Sequence, residues 1–298
     1  MKIHKLLLTA LCAALFTPLF AIKPTKTCPL YSSADDKTAN GFAPKDEYTN
    51  GAGSIFKLSS ARIDIYLPEK GGKPSAMILA IPGGGYQYVS SGNEGVNVAD
   101  YFVPRGYAVA VLKYRLPNNS VPSLPERASI PLTDALQAMR LLRDSAEAWN
   151  LDPHRIGCMG FSAGGHLAAS LLTGYTDAAT RPDFGVLVYP VITMDPKLTH
   201  KGSRLELIGR KASREQTELY SCEKHVTTDT PPCIIVACQD DPTVNIENSL
   251  LFYKALTDKK VPSELVIVPE GKHGWGFMRQ FPDRDVIDHA ILNFVAAH

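Results

Sequence analysis

The sequence predicts an α/β fold, with a mostly parallel central sheet and helices on both faces. Short unbroken apolar runs recur along the chain, they alternate with stretches of helical spacing, and no internal repeat or linker interrupts that order. A strand covered by helices on both sides has no wet face, so it reads as a continuous apolar run and not as an alternating one. The first two such runs are Ala76-Met77-Ile78-Leu79-Ala80-Ile81 and Tyr107-Ala108-Val109-Ala110-Val111-Leu112. Ahead of them, Arg62-Ile63-Asp64-Ile65-Tyr66-Leu67 alternates, which predicts an edge or half-buried strand. Residues 96–103 have helical spacing, as do 133–149, where Leu136, Met139, Ala146 and Trp149 are among the apolar positions. Residues 155–159 then form a short buried strand and 165–172 a helix. Further on, 184–191, 233–237 and 264–268 are strand-like, and 247–258 and 285–297 are helical. In such a sheet the ligand site lies beyond the carboxyl ends of the strands. The irregular stretch 193–230 is available as a small cap over it.

Composition narrows the classes of function. With 45% hydrophobic and 20% charged residues in 298, the chain can bury a large core and is not a disordered tail. Lys and Arg total 31 against 30 acidic residues, and no basic stripe is interleaved with aromatics, which argues against a nucleic-acid partner. Residues 1–21 stand apart. Lys2 and Lys5 precede a nearly all-apolar stretch over 6–16, and Pro18-Leu19-Phe20-Ala21 ends on a small residue, the pattern of a secretory signal peptide cleaved after Ala21. Pro18 interrupts the run and leaves it short of the roughly 20 residues that span a bilayer, so no stable membrane insertion is expected after cleavage. The expectation is a periplasmic or secreted protein whose residues 22–298 form a single domain. Its oligomeric state is not legible.

Cleavage removes Cys12 and leaves five of the six cysteines, so at least one thiol stays unpaired. Cys158, Cys233 and Cys238 lie in apolar runs and read as small buried hydrophobes. Cys28 and Cys222 have polar neighbours and could pair in an oxidising compartment. The sequence has no C-x-x-C and no cluster of metal-ligand type, so no metal site is expected.

Chemistry enters at Gly160-Phe161-Ser162-Ala163-Gly164, a G-x-S-x-G between a buried strand and a helix. Small residues around Ser162 let the chain turn sharply and present its hydroxyl at the top of the sheet. A serine hydroxyl is a weak nucleophile and requires a base, which in turn needs an acid to fix its tautomer. Of eight histidines, His273 fits best, in Gly271-Lys272-His273-Gly274-Trp275, a loop directly after a strand. His154 and His166 lie too near Ser162 along the chain to curl back over it, and His200, His225 and His289 read as surface residues. The acid belongs in the loop after the preceding strand, where Gln239-Asp240-Asp241-Pro242 offers two candidates, of which Asp241 is chosen. Charge developing on a carbonyl oxygen needs donors already in place. Gly84 and Gly85, in Ile81-Pro82-Gly83-Gly84-Gly85-Tyr86, and the amide of Ala163 are the candidate oxyanion donors. Tyr86 and Trp275 are candidate walls of a substrate pocket. Arg115, after a buried strand, is expected to pair with an acid such as Asp134, and Glu94 to begin a helix.

Taken together these pieces resemble a known family. Pro82-Gly83-Gly84-Gly85-Tyr86, Glu94-Gly95, Tyr114-Arg115-Leu116-Pro117, Gly160-Phe161-Ser162-Ala163-Gly164-Gly165-His166, Asp240-Asp241-Pro242-Thr243-Val244 and His273-Gly274-Trp275-Gly276 look like α/β-hydrolase-fold esterases related to hormone-sensitive lipase. The likeness is greatest to bacterial acetyl-xylan-esterase-like and feruloyl-esterase-like (BD-FAE-like) proteins. The order Ser162, Asp241, His273 is the order expected of α/β-hydrolases. The resemblance implies hydrolysis of short acyl esters, often acetyl groups on plant polysaccharide such as xylan, with no cofactor. A serine peptidase on the same fold and a catalytically silent binding protein are the competing readings.

Overall fold

The computed structural model describes residues 22–32, 40–69, 76–118, 127–277 and 280–298. Residues 1–21, with the expected signal peptide and its Cys12, lie outside that set. Eight strands form the central sheet: β1 (Lys26–Pro29), β2 (Arg62–Tyr66), β3 (Met77–Ile81), β4 (Ala108–Lys113), β5 (Ile156–Phe161), β6 (Gly185–Val188), β7 (Cys233–Cys238) and β8 (Ser263–Val268). Their order across the sheet is β1-β2-β4-β3-β5-β6-β7-β8. β2 runs antiparallel to both neighbours, and the pairs from β4 to β8 are all parallel. A separate three-stranded ribbon joins Tyr48–Thr49, Ile55–Phe56 and Tyr88–Val89.

Alternation along each strand sends its side chains into two cores. Met77, Leu79 and Ile81 of β3 pack with residues of α2 (Ile130–Ser145), α3 (Ala163–Gly174) and α6 (Glu247–Asp258), among them Met139, Leu167 and Phe252. Ile78 and Ala80 face the other way, toward Phe102 of α1 (Asn97–Phe102) and Ile287 and Ile291 of α7 (Arg284–Ala297). Each fully buried aliphatic side chain contributes roughly 1.5–3 kcal/mol, so the unbroken apolar runs are what the two cores demand. The edges behave differently. β8 is half exposed, and β1 is short, with exposed Lys26 and Pro29 discouraging further pairing.

The differences from expectation are local. The strand expected over 184–191 ends at Val188, because Tyr189 has φ +38° and Pro190 has no amide to donate. The helix expected over 96–103 begins with a wide π-type turn, Gly92–Val96, which carries Glu94 inward. The stretch 193–230 contains two short helices, α4 (Lys201–Ile208) and α5 (Arg214–Leu219), the latter started by a Ser213–Gln216 capping box. Cys28 and Cys222 do not pair: all five cysteines from Cys28 onward are buried, and none forms a disulfide. Burial pushes the Cys222 thiol up to about 12 and that of Cys158 well above its ordinary value, so both stay protonated and unreactive. Among the described residues no helix is long and apolar enough to cross a membrane, and no group of three His, Cys, Asp or Glu side chains converges to hold a metal ion.

Candidate active site

Ser162 is the single residue between β5 and α3, and the turn it makes is steep. Its φ is +53°, a conformation that costs a non-glycine residue free energy unless its surroundings enforce it. The Ser162 amide donates to Val188 O at 3.1 Å, while its carbonyl accepts from the amides of Val191 (3.0 Å) and His166 (3.1 Å). The flanking glycines are steric necessities. A Cβ on Gly160 would lie 2.3 Å from Gly164 O, and one on Gly164 would lie 2.1 Å from Ile81 O. The motif thus lets β5, α3 and the end of β3 meet at one point.

His273 sits in the loop after β8 and Asp241 in the loop after β7. Asp241 Oδ2 lies 2.6 Å from His273 Nδ1, and His273 Nε2 lies 2.9 Å from Ser162 Oγ. An ionised carboxylate can only accept, so Nδ1 carries the proton and Nε2 is left to accept from the serine hydroxyl. The other Asp241 oxygen accepts from the amides of Thr243 (2.8 Å) and Val244 (3.0 Å), which fixes the carboxylate. Asp240, the competing acid, is exposed and accepts from the Lys272 amide at 2.7 Å, which braces the histidine loop.

The third part is the glycine loop after β3. Gly84 (φ +121°) and Gly85 (φ +64°) take a path that side chains disfavour, and a Cβ on Gly84 would meet Tyr88 O at 2.1 Å. The loop's backbone bonds run from the amides of Gln87, Tyr88 and Ser90 to the carbonyls of Gly84 and Gly83, which leaves the Gly84 and Gly85 amides out of the turn. The amide of Ala163, at the first position of α3, has no acceptor within its helix. Glu94 explains how this loop is held. Its buried carboxylate accepts from the Gly83 amide at 2.7 Å and from the Tyr189 hydroxyl at 2.8 Å, and that hydroxyl accepts from the Gly276 amide at 3.1 Å. Burial pushes the Glu94 carboxyl up, and the bonds from Tyr189 and Gly83 and the proximity of His273 restrain the rise. One buried network therefore ties the glycine loop to the histidine loop, and its central acid does not begin a regular helix as its sequence context suggests.

Two expected pocket walls are elsewhere. The Tyr86 side chain is 1% exposed and points away from Ser162, its hydroxyl 2.8 Å from His166 Nδ1. It borders a separate apolar cavity of about 330 Å³. Trp275 is wholly buried beneath the histidine loop, edge-on to Tyr189 and under the Arg284 guanidinium. In both cases sequence identifies an aromatic beside the site and gives no side-chain direction. Arg115 is structural: it is buried, its Nη2 lies 2.6 Å from Asp134 Oδ1, and the Tyr31 hydroxyl donates to the same carboxylate. The cleft that reaches Ser162 and His273 has a volume of about 370 Å³ and polar walls, including Gln87, Ser90, Asn93, Thr243 and His200. His200, expected to be a surface residue, is partly buried and lines this cleft. Its local sequence is polar, and only the return of 193–230 over the sheet brings it to the cleft.

The strand order and the strand–serine–helix elbow define an α/β-hydrolase. The chain belongs to the prolyl oligopeptidase family, whose model matches residues 128–297, more than half of its length, and residues 63–188 match the BD-FAE family. It is 36% identical over 240 residues to an acetylxylan esterase of Xylanibacter ruminicola, covering 79% of this chain and 48% of that one. It is 38% identical over 207 residues to endo-1,4-beta-xylanase B of Butyrivibrio fibrisolvens, covering 66% of this chain and 32% of the other. The chain thus spans half or less of these curated relatives. Among solved structures, an acetyl ester-xyloside bifunctional hydrolase from Caldicellulosiruptor lactoaceticus superposes with a TM-score of 0.73 at 29% identity, over 92% of this chain and 97% of that one.

Proposed function

We propose that the protein is a serine esterase that removes short acyl groups, acetyl above all, from hydroxyls of plant polysaccharide such as xylan. The reading assigns Ser162 as nucleophile, His273 as base and Asp241 as its orienting acid. It rests on one observation, the hydrogen-bonded relay from Asp241 through His273 to Ser162 in a cleft that Gly84 and Gly85 also line. The amides of Gly84, Gly85 and Ala163, which donate to no backbone carbonyl among the described residues, support the reading as donors to a carbonyl oxygen. Ser162 Oγ attacks the ester carbonyl while its proton passes to His273 Nε2. The carbonyl oxygen becomes negative and is held by the three amides, each such donor contributing about 2.7–4 kcal/mol in the transition state. His273 then gives its proton to the alcohol oxygen as the bond from carbon to that oxygen breaks. Water, deprotonated by the same nitrogen, attacks the acyl-serine, and collapse returns acid and free enzyme. The polar cleft suits an alcohol rich in hydroxyls, and the relatives named for acetylxylan and xylan supply the substrate. Export with removal of residues 1–21, and action of residues 22–298 as one domain outside the cytoplasm, belong to the same proposal.

The prolyl oligopeptidase match supports a second reading, amide hydrolysis by the same triad. Acetate release from acetylated xylan, hydrolysis of 4-nitrophenyl acetate and decanoate, and cleavage of a peptide 4-nitroanilide separate the two. Ester cleavage that prefers acetate and falls by roughly a million-fold in Ser162→Ala is the expected result. Anilide cleavage with no ester cleavage would replace the esterase reading with the peptidase one.

A further inference from the structure

We infer that His200 is a specificity-determining residue that donates a hydrogen bond from Nε2 to an oxygen of the alcohol half of the ester, which selects a hydroxyl-bearing alcohol such as a sugar. The inference rests on the esterase reading above. His200 precedes α4 in the segment that returns over the sheet, and it caps that helix with its own ring. Nδ1 accepts from the Ser203 amide at 3.2 Å and lies 2.8 Å from Ser203 Oγ. A backbone amide can only donate, so Nδ1 holds a lone pair and the proton of the neutral ring sits on Nε2. The cleft therefore holds two histidines in opposite tautomers. His273, with a carboxylate on Nδ1, offers an acceptor at Nε2, and His200, with an amide on Nδ1, offers a donor there.

The location of that donor gives it a role. His200 lines the same cleft as Ser162, His273, Gly84 and Gly85, and its Cε1 lies 3.8 Å from where a Cβ on Gly85 would stand. Nε2 makes no hydrogen bond with the described residues. Burial and the nearby His273 both pull its proton affinity down, Asp241 opposing them, which favours the neutral donor form. An acetyl group has no polar atom beyond its carbonyl, and three amides already serve that oxygen. The remaining oxygens of a sugar ester are on the alcohol. A nitrophenyl alcohol presents no ring hydroxyl to the donor, so the enzyme should separate the two by a factor that depends on His200.

The test compares kcat/KM for acetylated xylobiose and for 4-nitrophenyl acetate in the wild type, His200→Asn and His200→Ala. Asparagine is a favoured N-cap and can keep α4 closed, but it is too short to place a donor where Nε2 stands. We expect the ratio of the sugar ester to the aryl ester to fall about tenfold in both variants, the order of one lost hydrogen bond, with the thermal midpoint lowered more by Ala than by Asn. A ratio that stays within about twofold of wild type in both variants, whatever the absolute rates, overturns the assignment and leaves the esterase reading intact. A wild-type protein that cleaves neither ester overturns that reading, and this inference with it.

Discussion

His166 predicts a measurable loss of stability in mild acid. It lies one turn after Ser162 on α3, 1% exposed, with both ring nitrogens engaged. Nε2 faces the Tyr220 carbonyl at 2.8 Å, so it must carry the proton, and Nδ1 accepts from the Tyr86 hydroxyl at 2.8 Å. A second proton on Nδ1 would force the Tyr86 hydroxyl to turn and give up its acceptor, and would place a charge on a ring only 1% exposed. Burial accordingly lowers the imidazole from its ordinary 6.5 to about 4, opposed by the Tyr220 bond. In the unfolded chain the ring takes up its proton as pH falls through about 6.5, whereas in the folded chain it does so only near 4. Between those values the unfolded state binds more protons, so stability is complete above the upper value and drains away below it. At 1.36 kcal/mol per tenfold change in proton affinity the loss is about 2 kcal/mol by pH 5 and about 3 kcal/mol by pH 4. Urea denaturation followed by circular dichroism, run from pH 7.5 to 4 on wild type and His166→Gln, isolates it from the other titrating groups. The wild type's advantage over the variant should shrink by about that amount on acidification. An advantage that stays flat across the range would refute the argument and place the charged ring in contact with solvent.

Glu94→Ala should leave two buried donors, the Gly83 amide and the Tyr189 hydroxyl, without partners, a cost of about 2–6 kcal/mol at 1–3 kcal/mol each. Displacement of the loops it joins should also lower kcat on 4-nitrophenyl acetate by about a hundredfold, and Glu94→Gln, which can still accept from Gly83, should recover part of both; equal effects of Ala and Gln would count against the bridging role. Asp241→Asn keeps an acceptor for Thr243 and Val244 but presents an amide to His273, which reverses the ring's tautomer and turns Nε2 into a donor toward Ser162. Its kcat should fall by about 10⁴ with the thermal midpoint little changed, and a loss under tenfold would mean that another group orients His273.

Much of the architecture was legible because burial on both faces leaves so plain a mark. The runs at 76–81, 107–112 and 233–237 each became a central strand within one residue of the expected ends. The convergence of Ser162, Asp241 and His273, which the structure brings into one hydrogen-bonded relay, is legible by a different route, since the ends of parallel strands must converge and each residue lies in a loop at such an end. The short edge strand Lys26–Pro29 was missed, because four residues containing lysine and proline carry no apolar signature and pair only once Arg62–Tyr66 is in place. His200 and Glu94 escaped for a related reason. Their significance depends on what faces them across 73 to 182 residues of sequence, as Glu94 to Gly276 illustrates in its reach through Tyr189. Tyr86 and Trp275 show a complementary limit: sequence places an aromatic near the site, but only tertiary packing sets where its side chain goes, here outside the cleft at Ser162.

The five buried thiols set a condition on how the chain must be made. None is joined to another, so the folded protein owes no stability to an oxidant and should be indifferent to reductants that unfold disulfide-stapled proteins. Protection of the sulfurs comes from packing alone and exists only once packing is complete. Before packing, the thiols from Cys28 onward would be reachable by any oxidant, and every wrong cross-link among them would oppose the sheet in which Cys158, Cys233 and Cys238 must sit side by side with aliphatic neighbours. If the chain is exported as proposed, folding must outrun oxidation, because the architecture offers no later correction.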